Sequence, residues 1–325
     1  MIKGPTCIKK HCIFCRCSEI KLWGKTKSGV QRFYCHVCHK TFTWQRPDVS
    51  RQKEQTWFKL WVTESFSIRQ LSKLSGHSQS KLKRIKNYWL NQSPPVRPDY
   101  SQYQYVLFDG TYFHKNGCLI ICMDALTQRV IMSAYVSLEN YKTVHPILIQ
   151  LHGLGLRPRA VILDGHRMII RAIREVWGSS VIIQRCLYHI QRQGLSWLRT
   201  YPKTEAAKEL QRLLRSLPKI KNIETKNLFL SNYAAWIETY KSFVRALPGS
   251  TVAYKDLKRT MALITNAIPD MFHYLDDPHI HSTTNCLESF FSRLKADFRR
   301  HRGLSESHKK SYFRWYCFFK NSNTF

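Results

Sequence analysis

Residues 160–165 have the sequence Ala-Val-Ile-Leu-Asp-Gly, a short apolar run that ends in Asp164 and Gly165. Residues 103–110, Tyr-Gln-Tyr-Val-Leu-Phe-Asp-Gly, end in the same pair, with Asp109 as the carboxylate. Both runs predict β-strands, since short apolar segments bounded by turn residues are typical of strands. Carboxylates at the ends of neighbouring strands suit Mg²⁺, because that cation takes oxygen ligands. An Asp-Gly pair is also a common turn, so a turn role is the alternative for each aspartate.

The segments on either side extend this pattern. Residues 118–123 and 130–136 predict two more strands, residues 141–151 and 168–176 predict two helices, and residues 181–183 predict a last strand. Three strands in a row, followed by alternating helices and strands, predict a mixed sheet with helices packed on it. The predicted fold class is therefore α+β and multidomain, with an α/β core.

The composition is strongly basic. The 325 residues include 52 Lys and Arg against 21 Asp and Glu, which gives a formal net charge of +31. This balance disfavours an ordinary metabolic enzyme and favours a polyanionic partner, with nucleic acid ahead of an anionic membrane. No apolar run approaches the roughly 18 residues that span a bilayer, and the first residues lack an apolar signal segment. The sequence predicts a cytoplasmic, nucleoid-associated protein with no membrane partner.

Six of the eleven cysteines lie within the first 38 residues. Two Cys-x-x-Cys knuckles, Cys12 with Cys15 and Cys35 with Cys38, have the spacing of a four-cysteine zinc ribbon. They predict one structural zinc ion in a domain over residues 1–46. The alternative is that these cysteines are redox-active or only buried. Other side chains nearby could replace an individual ligand: Cys7, Cys17, His11, His36 and His39.

Helical periodicity begins after the cysteine-rich segment. Two helices separated by Ser75-Gly76-His77 predict a helix-turn-helix DNA-binding domain over residues 47–92, with Ser78 capping the second helix. The first turn of that helix would touch base edges and the rest would touch phosphates. The DNA-binding candidates are Gln79, Ser80, Lys81, Lys83, Arg84 and Lys86. The alternative is a solvated basic face on an ordinary helical hairpin. Residues 93–99, rich in proline, predict a linker.

Four motifs follow one another along the chain: Phe108-Asp109-Gly110-Thr111, Leu163-Asp164-Gly165, Cys186-Leu187-Tyr188-His189 and Thr284-Asn285-Cys286-Leu287-Glu288. In this order they resemble the Mutator-like (MULE-type) group of DDE transposases from bacterial insertion sequences. The resemblance covers about residues 100–325. The zinc ribbon and the helix-turn-helix are similar to those that several transposases carry.

The resemblance implies a ribonuclease-H-like catalytic core in which Asp109, Asp164 and Glu288 bind two magnesium (or manganese) ions. The core would consist of residues 100–190 and 279–325, with a large all-helical insertion over residues 191–278 between them. Cys186 and His189 would lie near the active site. Spacing alone leaves Glu288 another role, because Asn285 and Glu288 could form a variant capping box at the start of a helix.

The activity implied is metal-dependent cleavage at the ends of an insertion sequence, followed by strand transfer into target DNA. The partners implied are double-stranded DNA and a second copy of the chain, in a homodimer or higher oligomer. Two alternatives stay open, a non-catalytic DNA-binding regulator derived from a transposase and a nuclease on the same fold. A basic carboxy-terminal segment is predicted to lie along the DNA backbone, with a solvated helix end as the alternative; its residues are Arg299, Arg300, Arg302, Lys309 and Lys310.

Overall fold

The computed structural model describes residues 11–27, 29–43, 47–96, 99–113, 117–301 and 303–322. Arg302, Cys7 and residues 97 and 98 of the predicted linker lie outside these ranges. The strands in them are β1 (Ile20–Lys25), β2 (Gln31–Cys35), β3 (Thr41–Thr43), β4 (Tyr105–Tyr112), β5 (Cys118–Asp124), β6 (Val130–Val136), β7 (Ala160–Leu163) and β8 (Ile182–Arg185). The α-helices are α1 (Pro47–Thr63), α2 (Ile68–Ser75), α3 (Gln79–Leu90), α4 (Tyr141–Gly153), α5 (Arg167–Trp177), α6 (Leu187–Leu198), α7 (Glu205–Ser216), α8 (Ile223–Ala246), α9 (Val252–Ala267), α10 (Asn285–Phe298) and α11 (Glu306–Ser322).

A five-stranded mixed sheet forms the centre of the protein, as the sequence predicts. Its order is β6-β5-β4-β7-β8, with β4, β5 and β6 antiparallel and β4, β7 and β8 parallel. Every residue of β5 is buried, which requires cover on both faces. One face packs against α4 and α5, and the other packs against α10 and α11. The sheet therefore presents only its strand ends for chemistry.

The amino-terminal strands form a separate small sheet. It is antiparallel, in the order β1-β2-β3, and stacks Phe33 on Phe42 with 5.9 Å between ring centroids. The buried apolar side chains of this module are few, and two of them are Cys12 and Cys35. Such a small core gives the module little stability of its own.

Helices α1 to α3 and α11 share one hydrophobic core with a face of the central sheet. The Trp315 indole N–H on α11 donates to the carbonyl oxygens of Trp89 (2.9 Å) and Gln92 (3.0 Å) at the end of α3. Asp297 on α10 accepts hydrogen bonds from Ser65, between α1 and α2, and from Tyr316 on α11. These contacts fix the first three helices to the core independently of the predicted linker.

Residues 191–278 are all described and contain helices but no strand, as predicted for the insertion. Helices α6 to α9 have a hydrophobic core of their own. After α9 the chain comes back to the central sheet, where the buried Gln184 on β8 holds it. The amide nitrogen of Gln184 donates to the Met271 carbonyl (3.0 Å), and its amide oxygen accepts from the Tyr274 N–H (3.3 Å).

None of the helices in the described part of the chain is long and apolar enough to cross a membrane.

Candidate metal centre

Asp109 and Asp164 lie side by side in the central sheet, where β7 ends next to β4. The parallel register pairs Leu107 on β4 with Ile162 on β7, so two residues further along Asp109 stands level with Asp164. Asp109 Oδ1 accepts the Gly110 N–H at 2.8 Å, and Asp164 Oδ1 accepts the N–H of His166 at 2.9 Å. The second contact is the turn interaction expected of an Asp-Gly sequence. Asp164 thus shapes a turn and still leaves a carboxylate exposed beside Asp109.

Glu288 and His189 complete a cluster with Asp109. One ligand atom from each of the three side chains lies within 4.8 Å of the others. His189 Nε2 on α6 is 3.3 Å from Glu288 Oε1 on α10. Three segments that are distant in the sequence therefore meet at Asp109, which lies inside β4. The predicted end of this strand at Asp109 is wrong, because β4 stays paired with β5 as far as Tyr112.

The capping-box alternative for Glu288 is wrong. Helix α10 starts at Asn285, so its N-cap is Thr284, and no side chain caps its first turn. The Thr284 hydroxyl is turned toward Cys186 and donates to its sulfur at 3.5 Å. Glu288 consequently has no capping role and points its carboxylate to His189.

Cys186 and His189 have different positions although they belong to one motif. Cys186 is completely buried and its backbone N–H donates to the Leu163 carbonyl at 2.8 Å, at the end of β7. Its sulfur accepts the Thr284 backbone N–H at 3.3 Å and the Thr284 hydroxyl. Cys186 thereby joins the strand before Asp164 to the helix that carries Glu288, whereas His189 faces the carboxylates.

Glu139, between β6 and α4, is a further carboxylate at this centre that sequence reasoning missed. A Cβ atom on Gly110 would collide with its carboxylate, and the Cys118 thiol lies 4.0 Å from its Oε2. The available signal was the glycine of the first Asp-Gly pair, because a bare Cα allows this close approach. No strand end or motif marks Glu139 itself.

The pKa values at the centre reflect crowded negative charge. Burial raises the pKa of Asp109 to about 7; His189 opposes this shift, while Asp164 and Glu288 add to it. Burial, Asp164 and Asp109 raise the pKa of Glu139 to about 7. The Cys186 hydrogen bond raises the pKa of His189 to about 9, against the effect of burial and with help from Asp109 and Asp164. Carboxylates in such an environment favour a cation close by.

The donor set at this centre fits a hard divalent cation. Asp109, Asp164, Glu139 and Glu288 offer carboxylate oxygens, which magnesium and manganese prefer. The imidazole of His189 is a poorer ligand for magnesium, and its proximity to Glu288 suits it better to holding that carboxylate.

The thiols of Cys12, Cys15, Cys35 and Cys38 lie within 4.8 Å of one another. Cys12 and Cys38 are 3.6 Å apart, and Cys15 and Cys35 are 3.5 Å apart. Four converging sulfurs fit a tetrahedral zinc ion. Cys17 is a competing ligand, since its sulfur is 3.2 Å from that of Cys35.

The DNA-binding candidates on α3 lie mostly in the open. Ser78 caps the helix by accepting the Lys81 N–H at 3.3 Å. Lys86 differs from its neighbours, because its ammonium lies over the Trp61 ring, 5.7 Å from the centroid, and burial lowers its pKa. The exposed candidates are Gln79, Ser80, Lys83 and Arg84, with Lys81 partly buried.

The carboxy-terminal candidates divide into two groups. Arg299 and Arg300 are exposed in the turn after α10. Helix α11 is instead a core helix with a large aromatic buried face, and its Lys310 pairs with Glu306 at 3.0 Å. Most of α11 is consequently committed to packing.

Comparison with protein families gives a match over most of the chain. A family model described as "Transposase, Mutator family" matches residues 49–303. No curated protein matches the chain. The fold is similar to the Drosophila P element transposase of a strand transfer complex, with 11% identity, a TM-score of 0.43, and coverage of 89% of this chain and 94% of that chain. It is also similar to a chain of the simian T-cell lymphotropic virus intasome in complex with the PP2A regulatory subunit B56 gamma, with 15% identity, a TM-score of 0.21, and coverage of 62% and 66%. These two likenesses are too weak to transfer a residue role.

Proposed function

This chain belongs to the Mutator family of transposases, and on that premise we propose that it is a DDE transposase that cuts the ends of an insertion sequence and joins them to target DNA. In this proposal Asp109, Asp164 and Glu288 hold two magnesium or manganese ions. The convergence of Asp109, His189 and Glu288 within 4.8 Å beside the central strand carries the proposal. Asp164 stands level with Asp109 and raises its pKa.

Bound divalent cations would activate the attacking oxygen and stabilise the leaving oxygen of an in-line phosphoryl transfer. Water attacks the phosphodiester at the element's end first, and the freed 3′-hydroxyl then attacks the target strand. The Gly110 N–H orients the Asp109 carboxylate, and His189 orients Glu288. Since water and the 3′-hydroxyl are the attacking groups in the two transfers, no side chain becomes covalently attached to DNA.

We propose that the structural units of the chain follow the boundaries predicted from the sequence. Residues 1–46 form a zinc ribbon, with zinc on Cys12, Cys15, Cys35 and Cys38, and residues 47–92 form the helix-turn-helix. Residues 93–99 lead into a ribonuclease-H-like core of residues 100–190 and 279–325, interrupted by residues 191–278. The mixed sheet, with Asp109 on β4 level with Asp164 after β7, supports the assignment of the core.

Double-stranded DNA is the proposed partner, as element ends and as target. The net charge of +31 and the exposed first turn of α3 support this assignment. Arg299 and Arg300 would contact the backbone near Glu288. Two ends must be brought together in one reaction, so a homodimer or higher oligomer on DNA, in the cytoplasm, completes the proposal.

The test is incubation of the purified protein with labelled DNA from the ends of its own genomic element, with and without magnesium. Glu288→Gln is compared with Glu238→Gln, a matched change at an exposed position on α8. We expect nicked and joined products that require magnesium, persist in Glu238→Gln and disappear in Glu288→Gln, while both variants bind the DNA.

Two results would contradict the proposal and select an alternative. Binding of the ends without cutting, at any magnesium or manganese concentration, would identify a DNA-binding regulator. Cutting without joined products would identify a nuclease.

A further inference from the structure

A cavity of about 450 Å³ opens between the core and the helical insertion. Gly165 and Arg185 bound it on the side of the sheet, and Trp197 and Arg259 bound it on the side of the insertion. Its size is within the range of small-molecule and cofactor sites. None of the functional assignments made above uses it.

Arg185, at the end of β8, is the most informative side chain in this cavity. It is only 8% exposed, and its buried Nε has no hydrogen-bond partner among the described residues. A buried guanidinium N–H without an acceptor is costly. Arg185 also lines the cavity, so its charged guanidinium can attract an acceptor there.

The charges around the cavity favour an anion. Arg167 and Arg185 line it together with Arg259, against Asp270 as the one acidic lining residue. Asp270 is 3.7 Å from Arg174, so its negative charge is shared between Arg174 and Arg185. Arg259 pairs with Asp256 at 2.7 Å, which leaves Arg167 and Arg185 as the cations with capacity for a ligand.

The cavity adjoins the catalytic centre through Gly165. This glycine follows Asp164 and has φ of +94°, and a Cβ atom on it would collide with the Arg185 guanidinium. Arg185 therefore packs directly against the turn that carries Asp164. Under the proposed function, a DNA strand with a phosphodiester at Asp164 would pass close to this cavity.

We propose that the cavity binds a backbone phosphate of the DNA strand on which the catalytic centre acts, with Arg185 and Arg167 as its donors. The planar guanidinium suits phosphate, because it offers several N–H groups in fixed directions. This assignment rests on the proposed function. It adds a phosphate site on the insertion side of Asp164, which would hold the strand in line for transfer.

The test is a methylphosphonate scan, in which each phosphate near the cleavage site of a labelled element end is replaced in turn by a neutral group. Binding is measured for the wild type, Arg185→Gln, Arg185→Lys and Arg192→Gln. Arg192 is a matched control because it is exposed on α6 and outside the cavity. Thermal unfolding shows whether each variant is folded, and Arg167→Gln, at an exposed position, replaces Arg185→Gln should that variant fail to fold.

In the wild type we expect one methylphosphonate close to the cleavage site to weaken binding roughly tenfold. The same replacement should have no further effect in Arg185→Gln, a smaller effect in Arg185→Lys, and the full effect in Arg192→Gln. This pattern assigns one phosphate to Arg185.

Equal methylphosphonate effects in the wild type and Arg185→Gln would overturn the proposal while leaving DNA binding and cleavage intact. A second arm measures stabilisation by inorganic phosphate. Stabilisation that depends on Arg185, together with no coupling to any backbone position, would assign the cavity to free phosphate and also overturn the proposal. A wild type that binds no element DNA would instead refute the proposed function.

Discussion

The cysteine cluster of the small sheet and the carboxylate–histidine cluster of the core assemble their ligands by opposite means. In the first, each pair of cysteines is held by a short knuckle, as in Cys12 with Cys15. In the second, Asp109 and Glu288 come from distant segments that meet through the sheet and the packing of α6 and α10. Local geometry suffices for the cysteines, whereas the carboxylates depend on the whole core.

This difference indicates what each cluster owes to its metal. The small sheet buries few apolar side chains, so a bound ion would supply most of its stability. The carboxylate–histidine cluster lies on a sheet that is buried on both faces. Its fold should persist without ions, and only the charge balance of its carboxylates should change.

Removal of zinc should give the largest effect. Structural zinc contributes roughly 10–16 kcal/mol in small zinc modules, so a chelator should unfold residues 11–43 and leave the core folded. Hydrogen exchange measured by mass spectrometry, before and after chelation, checks this expectation. Protection of the small sheet that survives complete zinc removal would contradict it, and Cys17→Ser, beside the cluster, tests whether the fifth thiol takes part.

Glu139→Gln should give the next largest effect. Loss of this carboxylate should weaken magnesium binding by roughly 10–100-fold, because it removes negative charge beside Asp109 and Asp164. The measurements are the magnesium concentration for half-maximal cleavage and the rise in melting temperature with magnesium. Glu238→Gln is the control, and an unchanged magnesium dependence in Glu139→Gln would show that Glu139 is not part of the centre.

The pH dependence of stability should report the crowded carboxylates of the core in the metal-free protein. Asp109 and Glu139 have pKa values of about 7 in the folded state, above their ordinary values. Between about pH 4 and pH 7 the folded state thus binds more protons than the unfolded state, so these groups lower the free energy of unfolding as pH rises. Urea unfolding in the presence of a chelator should show a shallower decline in Asp109→Asn. Identical pH profiles for the two proteins would rule out the raised pKa.

Thr284→Val should give the smallest effect. It removes the hydroxyl hydrogen bond to Cys186 and should cost about 1 kcal/mol of stability. Because Thr284 starts the helix that carries Glu288, we also expect cleavage to fall at saturating magnesium with little change in DNA affinity. Thr283→Val, one residue earlier, is the control; an equal loss of cleavage in both variants would argue against a specific positioning contact.

Sequence reasoning performed best where structure is local. The strand that contains Asp109, the strand end before Asp164, the Ser78 cap of α3 and the all-helical segment after β8 each depend on short-range patterns. The structure contains each of these elements. A short apolar run closed by Asp-Gly needs no knowledge of distant residues to be recognised as a strand.

Sequence reasoning failed for features that depend on contacts between distant segments. Glu139 follows no strand directly, and only the contact with Gly110 reveals it. Asn285 and Glu288 have capping spacing, but the buried Cys186 sulfur attracts Thr284 and sets the start of α10 instead. In each case the deciding partner lies far along the chain.

The hydrogen bonds of Trp315 to the end of α3, and those of Asp297 to Ser65 and Tyr316, join α3 and the helix that carries Glu288 in one frame. Under the proposed function, that frame fixes the distance between α3 and Glu288. The number of base pairs between the sequence read by α3 and the bond that is cut is then a dimension of the protein. Extra residues inserted at positions 93–99 would leave that spacing unchanged.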